Sequence, residues 1–87
     1  MDYQKIIEKH KVGTVAVKQA LSHFHGLSTT VIAVVSNVPR RVAHSHITAV
    51  KGSGVKDWNS RTEAEKWKAI EAGEEIVNIL NEAKEIQ

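Results

Sequence analysis

Cysteine is absent from this chain of 87 residues. Disulfides, thiolate-held zinc and thiol nucleophiles are therefore excluded, and a reducing compartment suits the composition. Acid is missing over a long stretch as well: no Asp or Glu occurs between Glu8 and Asp57, the interval that holds all five histidines. Long apolar runs are missing too. Residues 19–39 carry no Lys, Arg, Asp or Glu, yet they include His23, His25, Gly26, Pro39 and several hydroxyls, whereas a bilayer span needs about 20 mostly apolar residues. The opening MDYQKIIEKHK lacks the apolar segment of a secretory signal, so a cytoplasmic location without membrane association is expected. Internal repeats and low-complexity tracts are also absent.

What is present is a charge split by position. Residues 1–56 hold eight Lys or Arg and two acids, net +6; residues 57–87 hold four and eight, net −4; the whole is +2. The N-terminal two-thirds should attract anions, and the C-terminal segment is acidic. The length suits one domain, residues 1–87. A domain this small buries only about 60–65% of its unfolded surface, so self-association, most simply a homodimer, is expected to complete it.

Tyr3, Ile6, Ile7 and His10 fall at helical spacing, and a second helical pattern runs through Val17, Ala20, Leu21 and Phe24, with Thr14 placed to cap it and Gly26 to end it in a left-handed turn. Residues 29–36 read TTVIAVVS, a β-branched run whose stiff rotamers suit a pleated sheet. Apolar groups on both faces predict a covered strand. Residues 37–40 predict a turn, and residues 41–50 a second strand pairing antiparallel with the first. GSG at 52–54 is a short flexible break. Ser60 and Glu63 form a capping box ahead of Ala64, Trp67, Ile70, Val77 and Leu80, which predicts an acidic helix. Gly73 costs that helix about 1 kcal/mol, so an ending near Ala72 with residues 76–80 as a third strand stays open.

The expected fold class is therefore α+β, in the order helix, helix, strand, strand, helix with an antiparallel hairpin. The alternative is an all-α helix-turn-helix. Leu21, Gly26, Leu27, Ile32 and Val35 occupy its apolar and turn positions, with Pro39 opening a further helix. Against it, Val31, Ala33 and Val34 would face DNA, where base edges require donors and acceptors.

Residues 31–75 combine a strand-like run, a basic turn, His-x-x-Ile-Thr-x-Val, a Gly-rich turn, a Trp and a segment ending Ile-Glu-x-Gly, carried by His44, Ile47, Thr48, Val50, Gly52, Trp58, Ala64, Ile70, Glu71 and Gly73. Over about half the chain this resembles a small bacterial domain family of unknown function. The chain departs from the pattern at both ends, with a helical N-terminal segment and no strands after Gly73. The resemblance implies a strand-turn-strand-helix order and nothing about chemistry.

On a strand, His44 and His46 would share a face and, with His23 and His25, could begin a metal site. No carboxylate lies within ten residues of either, so neither a metal nor another cofactor is expected. His46-Ile47-Thr48-Ala49 is similar to the His-hydrophobic-Thr-hydrophobic signature of two-histidine phosphoesterases, which would use imidazole as acid or base and the hydroxyl on phosphate. Such enzymes need two copies, so only a dimer could assemble the pair. Arg40-Arg41 could clamp phosphate or carboxylate. Trp58 and Trp67 are expected as core or interface anchors. The balance favours a binding or regulatory module over an enzyme. Its candidate anion-binding residues are Lys18, Arg40, Arg41, His44, His46, Lys51 and Lys56, and its expected partner is nucleic acid or an acidic protein.

Overall fold

The computed structural model describes residues 3–48 and 54–82, the side chains of residues 54 and 55 excepted. Every regular element among the described residues is a helix: α1 Tyr3–Lys9, α2 Thr14–His23, α3 Thr29–Ser36, α4 Arg40–Thr48, α5 Gly54–Asn59 and α6 Glu63–Glu82. The fold is all-α, which overturns the α+β expectation and its hairpin. None of these helices is long and apolar enough to cross a membrane.

The first expected strand is α3. Ser28 caps it, its Oγ accepting the Val31 N–H at 3.3 Å. The run then buries Ile32, Ala33 and Val35 while Val34 stays 72% exposed. A strand would have put Ile32 and Val34 on one face; the helical period separates them. β-branched residues cost a helix only a few tenths of a kcal/mol each, whereas burying Ile32 or Val35 contributes about 1.5–3 kcal/mol apiece.

The second expected strand is α4. Pro39, read above as a hairpin turn, lies just ahead of this helix, where a missing N–H leaves nothing unpaired. Its carbonyl accepts the N–H of Val42 at 2.9 Å and of Ala43 at 3.2 Å. Residues 49 and 50 of that strand, and residues 51–53 around the expected flexible break, lie outside the described residues. The strand-turn-strand order implied by the family resemblance is thus replaced by helix-turn-helix.

A third strand at 76–80 does not form, since α6 runs through Gly73 to Glu82 and buries Ile76 and Leu80. Thr62 caps this helix in place of Ser60: its Oγ1 accepts the Glu65 N–H at 3.1 Å, while the Ser60 hydroxyl donates to the Asp57 carbonyl.

α2 is the central element and packs against each of the other five helices. It consequently buries six consecutive residues, Ala16 to Leu21, including Lys18 and Gln19. A helix buried on all sides has no solvent face on which to place its polar residues, and those two side chains must find partners inside. The main core joins Ile6, Val17, Leu21, Ile32, Ala43, Ile47, Ile76 and Leu80. A second cluster seats Trp58 against Ala16, Ala20 and Ala69.

Candidate nucleic-acid interface

The turn between α3 and α4 is three residues long. Asn37 caps α3 in the left-handed conformation at φ 55° and ψ 45°, a state that Asn tolerates better than other non-glycine residues. This reverses the chain, and the Val38 N–H closes onto the Ala33 carbonyl at 3.1 Å. Val38 packs against the core beside the helices it joins.

α4 then lies with Ala43 and Ile47 buried and Arg40, Arg41 and His44 exposed. Residues three and four apart share a helix face, so these three cationic or ionisable groups form one outward stripe. The first turn of α4 holds no acidic residue. Neither Arg40 nor Arg41 takes part in any ion pair among the described residues, where Lys9, His10, Arg61 and Lys66 do.

The far end of α4 is held by α2. The last carbonyls of a helix have no partner within it, and here side chains of α2 supply two of them. Gln19 donates from Nε2 to the His46 carbonyl at 3.2 Å, and His23 donates from Nε2 to the Ile47 carbonyl at 3.1 Å. Gln19 also donates to Asp57 Oδ2 at 2.6 Å and accepts from Arg61 Nε at 2.9 Å. Its fully buried amide thereby ties α2, α4, α5 and the connection between α5 and α6 together. Asp57 and Glu65 flank the same Arg61 guanidinium at 3.8 and 3.5 Å.

Lys18, the neighbour of Gln19, donates from Nζ to His46 Nδ1 at 3.0 Å. Burial lowers the pKa of this amine. His46 is lowered as well, first by burial and then by the adjacent Lys18 charge. A donor pressed onto Nδ1 opposes protonation of the imidazole.

The residues expected to bind anions therefore divide. Arg40, Arg41 and His44 are brought together on the outer face of α4. His44 and His46, expected on one face of a strand, project about 200° apart on the helix, and His46 turns inward to Lys18, which is only 5% exposed. Lys56 is exposed on α5, and Lys51 lies outside the described residues. Residues 46 and 48 diverge in the same way, and the Thr48 hydroxyl donates to the His44 carbonyl at 2.8 Å, so the imidazole and hydroxyl of the phosphoesterase-like pattern do not share a face. No three His, Asp or Glu groups among the described residues are grouped to hold a metal ion.

Gln19, Asp57 and Arg61 were not singled out in the sequence, and His23 was considered only as a metal ligand. The one available signal was a pair of polar residues, Lys18-Gln19, interrupting an otherwise apolar helix. Asn37 was visible as a turn former, but of a hairpin.

No protein-family model matches this chain, and no curated protein or solved structure is similar to it. The resemblance to the bacterial family accordingly gains no support from these comparisons.

Proposed function

We propose that the chain binds duplex DNA, with α3 and α4 as a helix-turn-helix and α4 as the helix that enters the major groove. The observation that carries this reading is the outer face of α4: Arg40, Arg41 and His44 follow a three-residue turn and meet no carboxylate among the described residues. Helix-turn-helix units read base edges with the N-terminal residues of the second helix, and arginine is the commonest specific reader, bidentate to guanine. Assigning the groove to α4 removes the objection raised by the sequence, since Val31, Ala33 and Val34 belong to the supporting helix. The clasp of Gln19 and His23 gives α4 the fixed angle that groove insertion requires. Lys18 and His46 face inward and are not part of this surface.

A second copy belongs to the same reading. Phe24 and Trp67 are each 58% exposed, apolar surface available to a partner, and a two-fold dimer would offer two α4 helices to a palindromic site. A cytoplasmic location is part of the same proposal.

The test is selection from a random duplex pool, followed by fluorescence anisotropy on the selected sequence. Affinity should fall steeply with salt as counterions are released. Arg40→Ala and Arg41→Ala should each weaken binding about 10- to 100-fold wherever the arginine reads a base, with stability unchanged or raised by up to about 1 kcal/mol. Binding absent at about 50 mM salt, or binding that survives the double substitution with the same salt slope, would leave recognition of an acidic protein as the better reading.

A further inference from the structure

A cavity of about 710 Å³ opens between α1, α2 and the C-terminal end of α3, within the size range of small-molecule sites, about 300–1,000 Å³. Val17, Leu21 and Ile76 back it with hydrocarbon, and Ser36 and Asn37 bring polar groups to it from the end of α3. Among the described residues, Lys18 is the only charged one along its wall and no carboxylate lines it. The same lysine is 5% exposed and makes no ion pair among the described residues, its amine resting on the His46 imidazole. A buried ammonium without a counter-charge is costly. A cavity backed by hydrocarbon beside one cation that has no counter-charge among the described residues is complementary to a single negative charge carried on an apolar body.

We infer that this cavity binds a small monocarboxylate with a hydrocarbon body, its carboxylate pairing with Lys18 and its body lying against Val17, Leu21 and Ile76. Two charges, as on a phosphate monoester, would exceed what one lysine neutralises. The lowered pKa of the Lys18 amine follows from its burial, and an arriving carboxylate reverses that shift, so binding at alkaline pH takes up protons. This inference stands apart from the DNA reading, because none of Arg40, Arg41 or His44 lines the cavity.

Hexanoate is a suitable probe, with hexanamide as its uncharged counterpart and acetate as the charge without the body. Titrated into the full chain, hexanoate should bind at least about tenfold more tightly than either control, a difference of one decade in Kd. Amide resonances of Val17, Ser36 and Asn37 should move together in ¹H–¹⁵N spectra. Lys18→Met should abolish the preference for hexanoate over hexanamide while leaving hexanamide binding in place. Equal affinity for hexanoate and hexanamide in the native chain overturns the inference, and that comparison needs no variant. Perturbations confined to Arg40, Arg41 and Lys56 would equally overturn it, since they would report adventitious anion binding on the outer surface.

Discussion

His25 lies directly on Gly73. Its Nε2 donates to the Ile70 carbonyl at 3.1 Å, and a Cβ at residue 73 would stand 2.9 Å from His25 Cδ2 and 3.3 Å from Leu21 Cδ2. The missing side chain lets an imidazole from the end of α2 lie against α6. Gly73 is therefore a seat for His25, and its cost to the helix is offset by that contact and by the burial of Ile76 and Leu80.

Gly73→Ala should accordingly destabilise the native chain, although Ala is intrinsically better in a helix by about 1 kcal/mol. In a His25→Ala background the same change should stabilise by about that amount, giving a coupling of about 1–2 kcal/mol in a double-mutant cycle. Urea denaturation of the four proteins measures it. A gain in stability from Gly73→Ala alone would contradict the contact.

Gln19→Met keeps the volume of the side chain and removes all three of its polar contacts, to the His46 carbonyl, Asp57 and Arg61. Asp57 and Arg61 lie near enough to solvent to rehydrate, so a loss of about 2 kcal/mol is expected. Unchanged unfolding midpoints would show that the clasp on α4 contributes nothing to stability.

Acid should weaken the fold in two separable steps. His46 is depressed below its ordinary 6.5 by burial and by Lys18, so the unfolded chain takes its proton more readily; its share of stability is complete above about pH 6.5 and is lost as pH falls through the folded value. Glu75 is depressed below 4.5, chiefly by its hydrogen bond from Lys9 at 2.5 Å and further by His10. Its share is present above about pH 4.5 and is lost below it. Thermal midpoints across pH should show the first loss reduced in His46→Gln and the second in Glu75→Gln. Parallel curves for wild type and His46→Gln between pH 7 and 5 would contradict the first assignment.

Much of the helical text was legible. The two N-terminal helices and the left-handed Gly26 at φ 73° follow from residues whose meaning does not depend on distant partners, whereas the stripe expected on α6 is not its buried face: Ala69, Ala72, Gly73, Ile76 and Leu80 are buried, and Ala64 and Trp67 are exposed. The middle third was not. TTVIAVVS has apolar side chains at nearly every position, so it satisfies a two-sided strand and a buried helix equally, and β-branching tipped the reading toward the sheet. The deciding signals were the flanks: Ser28 as a cap, Asn37 in the left-handed region, and Pro39 where a helix tolerates it. Once that period was misassigned, His44 and His46 were placed on a common face, and inward-facing Lys18 and His46 were counted with the surface. Arg40, Arg41 and His44 were recognisable from charge alone. The Gln19 network was not, because it depends on which helices surround α2.

Arg40 and Arg41 stand at the end of α4 where the peptide dipoles leave a partial positive charge, a position that favours anions and penalises each cation by about 0.3–1 kcal/mol. Left to itself this helix would prefer acid there. α4 is thus frustrated at its own start, held in place by Ala43 and Ile47 from below and by Gln19 and His23 at its far end. Under the proposed DNA reading, a phosphate arriving there would relieve that frustration and make the occupied form the firmer one. A chain that gained carboxylates at positions 40 and 41 would hold its helix more securely and have nothing left to offer an anion.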